Sequence, residues 1–297
     1  MKLAHISDLH LKDFTWAPIF LDRIFEENID HLLVSGDIME GHDPSVLLAF
    51  ADYLDHKGFM DVTKTTIVPG NHDIHYGSEG FVSGLRSAVE MTFVLNKKAT
   101  NTNTFLRTFA PVIDCFKTGQ FPYPHVKSVG RSNPLTIVSL DTVSRQGLLK
   151  SAQGNFLERD EADDLLAYLE HYPDTTKILV MHHPPVPVEG NYTFAGNIAK
   201  WMPLGFKELD PVLAFIKEAR FTAVFCGHIH MMDDDVQSSQ FTESVEFGDP
   251  AHRWLTMMYC MGRSGGMHQE GTPVHAFHII THTSKGLTVK TRYWRRP

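Results

Sequence analysis

The residues of this sequence best suited to chemistry are aspartate, asparagine and histidine side chains that follow apolar stretches. They occur in five short segments: Asp8-Leu9-His10, Gly36-Asp37, Gly70-Asn71-His72-Asp73, His182-His183-Pro184-Pro185 and Gly227-His228-Ile229-His230. Each apolar stretch is typical of a buried strand, and the ligands of an open α/β sheet gather where its strands end. We therefore expect the five segments to converge on one crevice.

The spacing within these segments favours metal binding. Residues two positions apart in an extended chain point to the same side, so Asp8 can reach one ion together with His10, and His228 together with His230. Glycines precede several of these residues, and a residue without a side chain lets the backbone turn sharply and approach a site closely. The candidate metal ligands are Asp8, His10, Asp37, Asn71, His182, His228 and His230. This set is too large for one tetrahedral site and suits two octahedral ions that share a carboxylate.

The donor types also indicate which ions and which reaction to expect. Aspartate and histidine together suit borderline ions such as Mn, Fe or Zn better than Ca. Two ions about 3.5–4 Å apart are the usual arrangement for in-line attack on phosphorus. Each segment alone has a simpler interpretation, since Asp-x-His and Gly-Asn-His-Asp also form hydrogen-bonded turns. Their occurrence in one order, each at a strand end, favours the metal site.

The elements that must position these residues alternate regularly in the first part of the chain. Apolar periodicity predicts strands at 2–6, 31–35 and 65–68, with amphipathic helices around 17–24 and 46–53 between them. This βαβαβ order predicts a mostly parallel sheet with helices on its faces.

The rest of the chain continues this pattern and then changes. Further strands are expected at 135–140, 177–181 and 222–226, and helices near 80–95 and 162–169, with a polar stretch at 97–103. From about residue 235 only strands are expected, at 236–247, 254–261, 274–281 and 287–294. No linker or repeat divides the sequence, so we expect a single domain over 1–297.

Composition excludes several classes of protein. Hydrophobic residues make up 42% and charged residues 21%, which excludes a disordered chain. The net charge of -8 argues against broad attraction to nucleic acid or an anionic membrane. No apolar stretch approaches the roughly 18 residues of a membrane span. The 3 cysteines form no Cys-x-x-Cys pair, so we expect reduced thiols and a cytoplasmic protein.

Taken together, the motifs DxH, GD, GNHD, HH and GHxH resemble the signature of the calcineurin-like metallophosphoesterases over residues 5–230. The segments at 5–11 and 181–185 are most similar to the bacterial branch that contains class III cyclic-nucleotide phosphodiesterases and glycerophosphodiesterases. The resemblance implies an α/β fold, a four-layer α/β/β/α sandwich with two central mixed sheets and the metals at their shared edge. The strand-rich end from about 235 is then expected to form the second sheet.

The resemblance also implies a role for each candidate residue. Asp37 is expected to bridge the two ions, and His72, beside Asn71, to contact phosphate and protonate the leaving group. Both Asn71 and His72 are expected to contact the substrate. His183 has no ligand role in the family, and Asp73 is expected to brace its motif by hydrogen bonding. The implied ligands are Asp8, His10, Asp37 and His230 for one ion, and Asp37, Asn71, His182 and His228 for the other.

The implied function is hydrolysis of a small-molecule phosphodiester, or of a phosphomonoester, by a hydroxide that bridges two metal ions. The alternatives within the superfamily are a DNA exonuclease and a lipid-precursor pyrophosphatase. The acidic net charge argues against the first, and the lack of a basic amphipathic helix argues less strongly against the second. A non-catalytic binding scaffold is disfavoured because every ligand position is filled.

One region departs from compact members of that branch. Asn71 and His182 lie 111 positions apart, so an insertion is expected at about 74–130, carrying substrate contacts or a homo-oligomer interface. Arg263, within the glycine-rich segment 262–266, is a second candidate phosphate contact. A plain β-turn is the favoured interpretation of that segment.

Overall fold

The computed structural model describes most of the chain. The described residues are 1–40, 43–75, 88–113, 122–144, 154–185, 206, 208–228, 240–247, 254–261, 267–269 and 272–295. The predicted ligand His230 and the glycine-rich segment at 262–266 lie outside these residues.

The first sheet begins with the predicted βαβαβ unit. Strands β1 (Lys2–Ile6), β2 (His31–Val34) and β3 (Thr65–Ile67) run parallel, joined by helices α1 (Ala17–Phe25) and α2 (Pro44–His56). This part of the sequence prediction is confirmed.

Both crossover helices form for local reasons. The buried residues of α1 are spaced as one helix face. In α2, the Asp43 side chain accepts a hydrogen bond from Ser45 N at the N-terminus, and Pro44 occupies the first turn, where its missing N–H is not needed.

The second sheet is also mixed. Its first strands are β4 (His125–Val129) and β5 (Leu135–Ser139), which are antiparallel to each other. Strands β6 (Thr176–Val180) and β7 (Ala223–Cys226) continue parallel to β5. Helices α6 (Arg159–Leu169) and α7 (Leu209–Ala219) connect these strands. The sheet ends with β9 (Trp254–Met261), parallel to β7, and β8 (Gln240–Phe247), antiparallel to β9.

The prediction that the whole strand-rich end forms the second sheet is wrong. Strands β8 and β9 belong to it, but β10 (Met267–Gln269), β11 (Thr272–Thr283) and β12 (Gly286–Arg295) join the first sheet. There β11 runs antiparallel to β1, with Leu3 opposite Ile280. Residues 275–280 of β11 are all buried, because a strand in the middle of the sandwich is covered on both faces. The apolar pattern of an isolated strand does not tell which sheet it joins.

The region expected to be an insertion contains a long helix. Helix α3 (Asn71–Ile74) is a single turn. Helix α4 (Ala88–Thr108) includes 97–103, which the sequence predicts as a polar stretch after a helix near 80–95. Because 97–103 is polar, apolar periodicity does not predict a helix there. In the structure Asn101 is buried, and its side chain donates to the carbonyl of Ile74. The short helix α5 (Ala110–Ile113) follows. The boundaries of the insertion itself stay a prediction.

Side chains on the strands of the second sheet point alternately to its two faces, so each face packs into a different layer. Ile178 and Val180 of β6 face the first sheet and join the main core, whereas Leu179 and Met181 face α6 and α7 and join a second cluster. Helices α1 and α2 cover the main core from the other side. The layers are therefore helices, sheet, sheet and helices, as expected for the fold class. Within the described residues, no helix has the length and apolar character needed to cross a membrane.

The placement of β11 can be tested through stability. Ile280 is fully buried against the main core, so Ile280→Ala should lower the free energy of unfolding by about 2–5 kcal/mol. The neighbouring Thr281 is exposed, and Thr281→Ala should change it by no more than about 0.5 kcal/mol. Urea unfolding of the two variants measures the difference. Equal stability would argue against a central position for β11.

Candidate metal centre

The structure brings together the predicted ligands that it describes. Asp8 follows β1, Asp37 follows β2 and Asn71 follows β3, while His182 and His228 follow β6 and β7. The carboxyl ends of strands from both sheets therefore meet at one edge, and the side chains there are Asp8, His10, Asp37, Asn71, His182 and His228.

Four of these residues have unusual backbone conformations. Asp8, His10, Asp37 and His228 have φ angles of 53°, 47°, 53° and 72°, in the left-handed region. For residues other than glycine this region costs roughly 1–2 kcal/mol, although Asp and His tolerate it better than most. Backbone hydrogen bonds hold two of the turns in register, from Asp8 N to the carbonyl of Gly36 at 3.0 Å and from His10 N to that of Asp37 at 3.1 Å.

The glycines in the motifs are needed for close approach. A Cβ added at Gly70 would collide with the carboxylate of Asp37, and one at Gly227 would collide with the side chains of Ser7 and Asp8. Gly36 has a φ of 97° and packs directly against the backbone of Gly70. The sequence-based expectation of tight backbone approach at these positions is confirmed.

One group of donors surrounds the His10 ring. Its Nε2 lies 3.7 Å from Asp8 Oδ1 and 3.7 Å from Asp37 Oδ2. Its Nδ1 lies 2.5 Å from Glu40 Oε2, and because a carboxylate can only accept a hydrogen bond, Nδ1 carries the proton. In the neutral ring, Nε2 therefore carries the lone pair and directs it between two carboxylates. Such an arrangement suits a cation, and the Glu40–His10 pair is the kind of outer contact that orients metal-binding histidines.

A second group lies on the other side of Asp37. The Oδ1 atom of Asn71 lies 2.9 Å from both His182 Nε2 and His228 Nδ1, and His182 Nε2 is 3.5 Å from Asp37 Oδ2. The Nδ1 of His182 lies 2.8 Å from the carbonyl of Ser35, which can only accept, so Nδ1 holds the proton. The lone pair of His182 Nε2 then points at acceptor oxygens, and a bound cation would satisfy all of them. The residues therefore fit a metal ion.

Asp37 is common to both candidate donor groups. Ligand atoms of His10, Asp37 and His72 lie within 4.8 Å of one another, as do those of Asp8, Asp37 and His182. Burial by itself raises the pKa of Asp37, but the neighbouring histidines hold it below its usual value. Asp37 is thus an ionised carboxylate at the centre of the site.

His72 stands at the open side of this arrangement. Its ring meets that of His10 edge to face at 4.6 Å between centroids, and its side chain is 17% exposed. Its backbone N–H donates to Asp37 Oδ1 at 2.8 Å. The side chain can therefore face a substrate while the backbone stays fixed to the central carboxylate.

Sequence reasoning missed Glu40. Its Oε2 contacts His10 and lies 3.8 Å from His72 Nδ1, and it is partly exposed. A β-bridge between Leu11 and Met39 places the segment after β1 beside the segment after β2. There Glu40 N donates to the carbonyl of Leu11. The only signal in the sequence is an acidic residue three positions after Asp37.

Asp73 braces the turn, as expected. Its carboxylate accepts from the backbone N–H groups of Ile38, Met39 and Gly70 at 2.9, 3.2 and 2.9 Å. Burial and the charge of Asp37 raise its pKa to about 7, although the backbone donors favour the ionised form. Asp73 therefore ties the segment after β2 to the segment after β3.

His183 is fully buried, and its contacts are those of a supporting residue. Its Nδ1 lies 2.8 Å from Thr142 Oγ1, and its ring packs 4.3 Å from that of His228 between centroids. A Cβ on Gly154 would collide with it. It thus packs behind His228.

Comparison with known proteins identifies the family. The sequence profile of the calcineurin-like phosphoesterases matches residues 1–232. This is well over half of the chain, which therefore belongs to the calcineurin-like phosphoesterase family. The family implies a metal-dependent phosphoester hydrolase.

Similar solved structures are distant in sequence. The NAD nucleotidase from Haemophilus influenzae is 14% identical with a TM-score of 0.49, and the match covers 99% of this chain and 55% of that one. The phosphopantetheinyl hydrolase from Mycobacterium tuberculosis is 15% identical with a TM-score of 0.45, covering 88% and 89%. This chain thus spans little more than half of the nucleotidase. No curated protein matches its sequence.

Metal binding should depend on pH through His10. Burial lowers its pKa, but Asp8, Glu40 and Asp37 together raise it to about 10, so the His10 ring is protonated in the metal-free protein. If His10 binds an ion, its ring must first lose that proton. Apparent affinity for Co²⁺ should therefore rise roughly tenfold per pH unit below that pKa through this proton alone.

Calorimetric titration in buffers of different ionisation enthalpy counts the released protons. The matched variant His10→Gln should release about one proton fewer than wild type. An affinity that stays constant between pH 7 and 9 would contradict this linkage.

Proposed function

We propose that this protein is a phosphodiesterase that uses two metal ions and acts on a small-molecule phosphodiester. One ion would be held by Asp8, His10, Asp37 and His230, and the other by Asp37, Asn71, His182 and His228. The observation that carries the proposal is the position of Asp37 Oδ2, which lies 3.7 Å from His10 Nε2 and 3.5 Å from His182 Nε2. A single carboxylate oxygen between two lone-pair donors is suited to bridging two cations.

The nature of the donors supports Mn, Fe or Zn. When bound, such ions supply positive charge for phosphoryl oxygens and lower the pKa of a coordinated water. The protein supplies orientation: Glu40 fixes the ring of His10, and the carbonyl of Ser35 fixes that of His182.

His72 is proposed as the residue that acts on the leaving group. Its backbone is fixed to Asp37 and its ring is partly exposed beside His10. A proton on the His72 ring could be given to a departing alkoxide, which needs one in order to leave. The Oε2 atom of Glu40 lies 3.8 Å from His72 Nδ1, so a carboxylate stands beside that ring.

A small-molecule substrate is favoured over nucleic acid. The net charge of -8 disfavours a polyanion, whose binding depends on neutralising many phosphates. We also propose one domain over 1–297. Support comes from the C-terminal strands, because β8 and β9 complete one sheet and β10 to β12 complete the other.

The proposed function is tested by a substrate screen. Purified protein with Mn²⁺ would be assayed against cyclic AMP, glycerophosphodiesters, nitrophenyl mono- and diesters and single-stranded DNA. We expect turnover of the small diesters that a chelator abolishes. Turnover of DNA alone would favour an exonuclease, and metal binding without turnover of any ester would favour a binding scaffold.

The bridging role of Asp37 predicts a difference between single ligand variants. Asp37→Asn should lose metal at both positions, because two cations are left side by side without the shared charge. His10→Ala should lose chiefly one ion. Elemental analysis of protein purified with Mn²⁺ would compare both with Asp52→Asn, a change of an exposed carboxylate on α2. Equal metal content in Asp37→Asn and Asp52→Asn would refute the bridge.

The role of His72 predicts a dependence on the leaving group. Nitrophenolate leaves without a proton, whereas an alkoxide needs one, and general acid catalysis is worth about 10²–10⁴-fold where it is needed. His72→Ala should therefore hydrolyse nitrophenyl diesters with a small loss and alkyl diesters with a loss of that size. The measurement is kcat/KM on both substrates, with metal content checked in parallel.

Two comparisons make this test specific. His56→Ala, which removes an exposed histidine at the end of α2, should change neither reaction. Equal losses on both substrates in His72→Ala would leave His72 only an electrostatic role toward a phosphoryl oxygen.

A further inference from the structure

A chain of buried polar contacts extends from the second donor group into the space between the two sheets. The carbonyl of Ser35 accepts from His182 Nδ1 at 2.8 Å. The hydroxyl of the same serine lies 2.8 Å from His5 Nε2, and His5 Nδ1 lies 3.1 Å from His278 Nδ1. The three histidines and the serine are at most 1% exposed.

The strands hold this chain in place. His5 of β1 lies directly opposite His278 of β11 in the antiparallel register, so the two rings meet on one face of the sheet. Phe225 of β7, in the other sheet, packs edge-on against the His5 ring at 5.2 Å. Ser35 directly follows β2, and its own N–H donates to the carbonyl of Ile6. The backbone immediately after Ser35 then turns sharply into Asp37.

Both inner rings are held neutral by their surroundings. Burial lowers the pKa of His5 well below its ordinary value and that of His278 to about 3. A neutral imidazole has one donor and one acceptor nitrogen. In the contact between the two Nδ1 atoms, one therefore donates a hydrogen bond and the other accepts it. The Nε2 of His5 has the opposite role to its own Nδ1, which fixes the direction of the hydrogen bond to the Ser35 hydroxyl.

We propose that His5 and His278 are positioning residues of the metal centre, which fix Ser35 so that its carbonyl sets the tautomer and direction of His182. This inference rests on the proposed role of His182 as a metal ligand. It assigns a function to β11, which lies beyond the residues that match the family profile. Through His278, the C-terminal part of the chain would contribute to the affinity of a site whose described ligands all come from earlier residues.

The alternative is that these histidines only fill the space between the sheets. The fold contains a matched example of that role in His31, which is also fully buried on a strand of the first sheet. Its Nδ1 lies 2.8 Å from the carbonyl of Thr63 and its Nε2 lies 2.8 Å from Thr66 Oγ1. Those partners do not contact any of the candidate ligands in the described contacts. His31→Asn is therefore the control for losing a buried histidine.

The test uses variants of His5 that each keep a polar atom at the position of only one of its two ring nitrogens. The amide of glutamine reaches the position of histidine Nε2, and that of asparagine the position of Nδ1. His5→Gln keeps a polar atom for Ser35, whereas His5→Asn keeps one only for His278. Ser35→Ala removes the same contact from the other side with a smaller change of volume, and it leaves the carbonyl in place. Affinity for Co²⁺ and the visible spectrum of the bound Co²⁺ would be measured for each.

We expect His5→Asn and Ser35→Ala to weaken Co²⁺ binding by about 10–100-fold, the usual effect of losing an outer contact of a metal ligand, and to alter the Co²⁺ spectrum. The double variant should lose no more Co²⁺ affinity than either single variant, since the two changes remove the same contact.

His5→Gln should bind Co²⁺ with an affinity close to that of wild type. His278→Leu should weaken Co²⁺ binding less than His5→Asn does. His278→Asn, which keeps a polar atom at the position of Nδ1, should bind Co²⁺ with an affinity close to that of wild type. His31→Asn should lower the melting temperature without changing Co²⁺ binding.

Two failures can be told apart. If wild type binds no Co²⁺, the proposed metal centre itself fails. If wild type binds Co²⁺ and the folded Ser35→Ala and His5→Asn proteins bind it equally well with the same spectrum, the positioning role is overturned. Melting temperatures measured in chelator would separate lost stability from lost affinity in every variant.

Discussion

The carboxylate of Asp37 is the group on which the rest of the site depends. It is buried, it accepts the backbone N–H of His72, and one of its oxygens faces both His10 and His182. An ionised group in such a place needs positive charge or hydrogen-bond donors around it, because burial alone disfavours the charge. The glycines beside it are needed for the same reason, since any side chain at Gly70 would occupy the position of the carboxylate.

The site also depends on the packing of the two sheets. Asp8, Asp37 and Asn71 come from the first sheet, and His182 and His228 from the second, so the second donor group combines residues of both sheets. The backbone N–H of His228 donates to the carboxylate of Asp8, and the main hydrophobic core fixes the spacing between the sheets. Folding energy from the core is therefore what brings the polar edge together.

Much of this arrangement could be predicted from the sequence, because strand ends and short motifs are local features. The βαβαβ unit and the convergence of the described candidate ligands followed from apolar periodicity and from the order of the motifs. The sandwich of two mixed sheets followed only from the family resemblance that the motifs carry. The contacts of Glu40 and the place of β11 did not follow. Glu40 meets His10 only through a bridge between two loops, and β11 pairs with β1 across most of the chain. Such long-range pairings depend on which edge is left uncovered when the sheets form, and no local pattern encodes that.

Four left-handed backbone conformations affect how such a chain would evolve, and they are those of Asp8, His10, Asp37 and His228. Each is a point of local frustration, where the preferred conformation of the residue opposes the fold. Relaxed selection would favour glycine or asparagine at these positions, and the chain would gain stability as it lost the candidate ligands. A descendant freed from catalysis should therefore drift first at the turns after its strands, while the core beneath them stays unchanged.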